Sequence, residues 1–167
     1  LVDVKLLTGT VTVDASINLD QPSVVLKGSG SGETNGTTLQ KSADGIAQAV
    51  NITSLQGGLE DVYVDCNSKT LNGVVVAGGN NNEIRNIRVK NVGGTGVGLL
   101  INDASANKVY NSQIVQCANA IEVRGTGSSN VIALYSCTAS TENYTGIAYS
   151  VNAVGNVIHS VWAHNLF

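Results

Sequence analysis

The chain of 167 residues reads as an all-β, single-stranded parallel β-helix, a solenoid with coils of about 22–26 residues. Three observations predict it. Apolar residues make up 43% of the chain but aromatics only 4%, so the interior must be built from Val, Ile, Leu and Ala, and β-branched residues favour strands. Gly occurs 19 times and Pro once, which suits a chain that turns often and tightly. An apolar anchor also recurs at Leu59, Ile84, Val109, Ile132 and Ile158, in steps of 25, 25, 23 and 26. A helical solenoid would need long segments of period 3.6, and the sequence has none.

The elements follow in order. Residues 1–57 are expected to form irregular first coils, with strands at Val11/Val13, Ile17/Leu19 and Val24/Leu26. The Gly/Ser-rich loop from Gly28 to Gly36 lengthens its coil. Such a loop is expected to be solvated, with ligand binding as the alternative. Residues 58–167 are expected to form the regular coils of the same single domain. After each anchor comes a period-2 strand whose inward pair is Val62/Val64, Ile87/Val89, Ser112/Ile114, Tyr135/Cys137 or Val161/Ala163. A second strand follows in each unit, with inward pairs Val74/Val76, Leu99/Ile101, Ile121/Val123 and Ile147/Tyr149.

Residues one period apart should become neighbours at about 4.8 Å, the spacing of strands in a sheet. A step of 25 then sets Glu60 beside Arg85, Asp65 beside Lys90, Glu83 beside Lys108 and Tyr63 beside Arg88. These are three opposite-charge pairs and one cation–π pair in a register fixed by aliphatics alone. Asn forms its own columns. Asn82, Asn107, Asn130 and Asn156 each precede an anchor by two, and Asn86 and Asn111 follow one by two, with Asp61 in the coil before. A stacked Asn can bond both a corner's backbone and the Asn above it.

Composition also excludes several classes. A net charge of −3 with scattered basic residues gives no footprint for nucleic acid or anionic membrane, and no run is long and apolar enough to insert into a bilayer. The three cysteines, Cys66, Cys117 and Cys137, lack CxxC spacing and are expected to be buried thiols. His159 and His164 fall on different faces and have no third ligand, and no DxD cluster is present, so no metal or other cofactor is expected. Neither end carries an evident cap, so the chain is expected to be a segment of a longer one.

The stretch "SVVLKGSGSGETNGTTLQ", then "LEDVYVD" and the repeat "NNEIRNIRVKN…GVGLLI…NKVYNSQIVQC", resembles the right-handed parallel β-helix of the pectate-lyase-like superfamily. Its Gly, Ser, Thr and Asn bias is most similar to phage tailspikes and tail-fibre depolymerases. The resemblance spans roughly residues 10–165. It implies a right-handed coil and a homotrimer on a virion tail, facing outward beside other tail proteins. It also implies binding of bacterial surface polysaccharide, with depolymerisation left open. The alternatives are a secreted monomeric polysaccharide lyase or hydrolase, and a purely structural spacer.

Candidate site residues follow from chemistry. Glycoside hydrolysis needs two carboxyls, one of them with a raised pKa. The register gives Glu60, Asp65 and Glu83 cations, which makes them poor general acids. Glu122 is expected to point outward between Leu100 and Ala148, with Arg124 two places along as a substrate contact. Asp103 and Glu142, in nearby turns, would complete a catalytic set. Val115, Val131, Val157 and Trp162 are expected to face away from the core. They would form a subunit interface, or a sugar platform with Trp162 stacking on a ring.

Overall fold

The computed structural model describes residues 1–139, 147–149, 155–159 and 163–164, with side chains described up to residue 133 and at 155–157. Every regular element among them is a strand. The first coil holds β1 (Val2–Lys5), β2 (Gly9–Val13) and β3 (Ile17–Leu19), and the second holds β4 (Val24–Lys27), β5 (Thr37–Lys41) and β6 (Ile46–Ile52). The third comprises β7 (Gly58–Glu60), β8 (Val62–Asp65) and β9 (Thr70–Ala77), and the fourth β10 (Glu83–Arg85), β11 (Arg88–Lys90) and β12 (Val97–Asn102). Thereafter the first two strands of a coil merge. β13 (Lys108–Cys117) is followed by β14 (Asn119–Arg124), and β15 (Val131–Ala139) by β16 (Ile147–Tyr149). β17 (Val157–His159) and β18 (Ala163–His164) complete the set.

All pairings are parallel. One 6-stranded sheet runs β16-β14-β12-β9-β6-β3, and a 12-stranded sheet joins two rows through the long β13. The coils therefore have three faces: a first row that runs β1, β4, β7, β10 and the start of β13, a second that runs β2, β5, β8, β11 and the end of β13, and a third that is the 6-stranded sheet. This is a parallel β-helix, as the repeat predicts. The anchors Leu59, Ile84, Val109, Ile132 and Ile158 stack in register. Below them Leu59 sits on Leu26, 33 residues earlier, because the Gly28–Gly36 loop enlarges the second coil.

The inward column of each row is buried: Val64, Val89 and Ile114 in the second, Val74, Leu99 and Ile121 in the third. Each buried aliphatic contributes roughly 1.5–3 kcal/mol, while ordering the coil's backbone costs a comparable amount. Stacking, not the single coil, stabilises the fold.

Corners are residues with left-handed backbone. Asp61, Asn86 and Asn111 turn the chain between the first and second rows at φ 55°, 51° and 48°, and side chains with a short polar group tolerate this region best. Their amides form the predicted ladder, Asn111 to Asn86 at 2.5 Å and Asn86 to Asp61 at 2.9 Å. At the corner before each first-row strand, Gln56, Asn81, Ala106 and Ser129 share φ of 58–59°. Asn82, Asn107 and Asn130 follow immediately and are fully buried. Each accepts, on its side-chain oxygen, a backbone N–H of the previous coil: Gly57 to Asn82, Asn82 to Asn107, Asn107 to Asn130. Their amide nitrogens donate to carbonyls of Ser54, Gly79 and Ala104 and, for Asn82 and Asn107, also to the next Asn. The column continues to Asn156, which accepts from Asn130 at 2.9 and 2.8 Å.

Two details depart from expectation. The β13–β15 register shifts at the corner, so Ser112 lies opposite Leu134 and not Tyr135, although Ile114 still meets Cys137. Val11, assigned to a strand, remains 41% exposed because β2 is the outermost strand of its row.

Candidate functional site

The outward face of the first row carries two columns. One runs Asp3, Val25, Gly58, Glu83, Lys108, Val131 and Val157, and the other Lys5, Lys27, Glu60, Arg85, Tyr110 and Ala133. Period 2 fixes both, since the anchors between them point inward. Over the first four coils this face hollows into a groove of about 530 Å³, lined by Asp3, Lys27, Gln56, Glu60, Glu83 and Arg85 among others.

Glu60 is its centre. The carboxylate is nearly covered, and its Oε1 accepts from Lys27 at 2.8 Å and from Arg85 at 2.5 Å, one cation from the coil before and one from the coil after. Burial pushes the Glu60 carboxyl up, but Lys27 and Arg85 outweigh that and hold it below the usual carboxylate range. The hydrogen bond from Lys27 to Glu60 in turn raises the ammonium above its ordinary value. Lys27 also stands 3.6 Å from Asp61. Glu83 is more exposed; it accepts from the Tyr110 hydroxyl and lies 3.6 Å from Arg85. The groove thus presents fixed anionic acceptors beside fixed cationic donors.

The predicted ion-pair register is present, but the contacts are only partly those expected. Glu60 meets Arg85, and the Arg88 guanidinium lies over Tyr63 at 5.5 Å. Asp65 and Lys90 are paired in register, yet Lys90 turns to Glu33 at 3.1 Å while Asp65 accepts from Gln40, Asn67 and Asn91. Glu83 and Lys108 are likewise opposite each other, and Glu83 bonds Tyr110 and Arg85 instead. Long side chains choose the nearest partner with the best geometry, which need not be the one straight across the ladder.

Glu122 occupies the predicted position, opposite Leu100 and Ala148 on β14. It is 25% exposed, with Arg124 at 3.7 Å. Arg124 also donates to Asn102 at 3.2 Å. Asp103 lies in the turn after β12, where it accepts from the Thr126 N–H at 2.9 Å and its hydroxyl at 3.2 Å, so its carboxylate organises the next coil's turn. Glu142 and Trp162 lie outside the described residues. The expected apolar patch is divided: Val131 and Val157 stack on the first row at 38% and 41% exposure, but Val115 belongs to the second row and is 8% exposed. The corner at Asn111 separates them.

The groove is not evident in the sequence, because the repeat register pairs Glu60 and Glu83 with cations and so gives them a structural role. The signal that could have found it is the column Lys27, Glu60, Arg85, which becomes visible only when the enlarged second coil is counted as 33 residues. Cys66 and Cys117 are buried thiols, and burial pushes Cys66 up to about 12. Among the described residues no cluster of His, Cys, Asp and Glu is arranged to hold a metal ion. Comparison with family models, with curated proteins and with solved structures found no match for this chain.

Proposed function

We propose that this chain is a β-helix of a phage tailspike or tail fibre, and that it recognises bacterial surface polysaccharide in the groove of its first row. The observation that carries the proposal is the groove across four coils, in which Asp3, Glu60 and Glu83 alternate with Lys27 and Arg85. Its rungs repeat at about 4.8 Å, near the span of one pyranose unit, so successive sugars would meet successive coils. Carboxylates accept from sugar hydroxyls while Lys and Arg donate to sugar oxygens, and charge-assisted bonds of this kind are the stronger ones. Side chains already held by one another bind with little loss of freedom. Glu60 serves in this reading as an acceptor and not as a proton donor, because its two cations keep it charged. Depolymerisation, if it accompanies binding, would use other acids.

The test is binding of immobilised capsular and O-chain polysaccharides to the wild-type chain, to Glu60→Gln and to Arg85→Ala. Each substitution should weaken binding at least about tenfold, about 1.4 kcal/mol, while Glu122→Gln leaves it unchanged. Retained affinity in both groove variants would reject the groove. A wild-type chain that binds no polysaccharide would reject the function.

A further inference from the structure

We propose that the loop from Gly28 to Gly36 is a strap over a second binding site, on the second row, for a small hydroxyl-bearing carboxylate, and that Glu33 fills the carboxylate position when the strap is down. Arg88 and Lys90 stand two apart on β11 and therefore share its outer face. A single oxygen of Glu33 accepts from both, at 3.0 Å from Arg88 Nη1 and 3.1 Å from Lys90 Nζ. The rest of the strap is tied at its neck, where the Gly30 N–H donates to the Asp61 carbonyl and the Thr37 N–H to the Gly30 carbonyl, both at 2.9 Å. Among the described residues, Glu33 is the tip side chain that bonds the coils beneath.

A pocket of about 330 Å³ opens beside this contact, lined by Ser31, Asn86, Arg88, Asn111, Ser112 and Gln113 among others. Hydroxyls and amides of this kind suit a ligand with several hydroxyl groups. Arg88 supplies the anchor. Tyr63 backs its guanidinium, and its buried Nε has no hydrogen-bond partner among the described residues. Such an orphaned donor is uncommon in a folded protein, and a ligand oxygen would satisfy it. The planar fork of Arg takes a carboxylate through two parallel bonds, whereas Glu33 engages it through one oxygen only. Glu33 is 43% exposed, so an incoming carboxylate has access to displace it. Asp65, the other acid beside Lys90, is already occupied by Gln40, Asn67 and Asn91.

Titrations of wild-type and Glu33→Gln protein with glucuronate, glucose and acetate, followed by calorimetry, test the proposal. Glu33→Gln should bind glucuronate at least about fivefold more tightly than wild type, because the internal competitor is gone. Acetate should bind about tenfold more weakly than glucuronate, and glucose not measurably. Arg88→Lys in the Glu33→Gln background keeps the charge and loses the fork, and should remove most of the gain. Equal affinity in wild type and Glu33→Gln, a gain that survives Arg88→Lys, or acetate matching glucuronate would each overturn the assignment. Glu60→Gln should leave glucuronate binding intact, so failure of the groove and failure of the strap site are told apart.

Discussion

Asn107 shows what a single residue can hold in this molecule. Its side chain accepts from the Asn82 backbone and amide, and donates to the Gly79 carbonyl and to Asn130, all out of water. Asn107→Ala leaves several buried groups unpaired and should cost about 3 kcal/mol or more in urea unfolding. Asn111→Gly is the contrast. Asn111 is exposed and its left-handed backbone suits glycine, so the cost should stay under about 1 kcal/mol. Both Asn columns were legible in the sequence because spacing alone reveals them. That one is buried and the other lies nearer the surface, with only Asn111 exposed, was not, since only the path of the backbone decides it. Stability should also respond to pH at both extremes. The Glu60 carboxyl is depressed in the fold, so its contribution is present above about pH 4.5 and is lost as pH falls through the folded value. Cys66 has the opposite sense: it is raised in the fold, so stability is intact below about pH 9 and declines as pH rises toward 12. Urea midpoints across pH should fall at both ends, with Glu60→Gln flattening the acid limb and Cys66→Ala the alkaline one.

At the scale of the element, the strands were the most legible part, because a two-residue alternation repeated at 25 residues leaves little freedom for the register. The starts of the third-row strands depend on something less obvious. Gly73, Gly98 and Ala120 stack in one inward column, where coils are packed so closely that side chains of the second row cross above it. A Cβ at position 98 would collide with the Ile114 side chain and lie 2.9 Å from the Ala120 carbonyl. Gly98→Ala should therefore destabilise by about 1–3 kcal/mol, seen as a lower Tm, with the fold retained. The strap is where the sequence stopped being informative. Its length and composition suggested a loop, but nothing local shows that Glu33 meets residues 55 and 57 positions further on. That contact exists only because the chain winds from the second coil to the fourth, with one coil stacked between them.

Among the described residues the surface of the first row changes along the axis, from the ionic and polar groove of the early coils to the exposed Val131 and Val157 further along it. In the homotrimer that the tailspike resemblance implies, that apolar end would be buried between copies. Val131→Asp and Val157→Asp should then convert a trimer into a monomer by light scattering, while a monomeric wild type would remove the assembly and favour the secreted enzyme. The candidate site was less legible than the fold for a physical reason. A groove is made by side chains from four coils, and the enlarged second coil hides that alignment from a fixed period. The same stacking has a mechanical consequence. Through the described residues each coil is fastened to its neighbours by bonds that run along the axis, including the buried Asn ladder, and these bonds span one rung apart from the contact of Glu33 with Arg88 and Lys90, which spans two. Under tension from one end, such a molecule yields one coil at a time, and each 25-residue coil that lets go pays out about 80 Å of chain. The solenoid is stiff as a rod yet extensible in steps, a shock absorber whose stroke is set by the repeat.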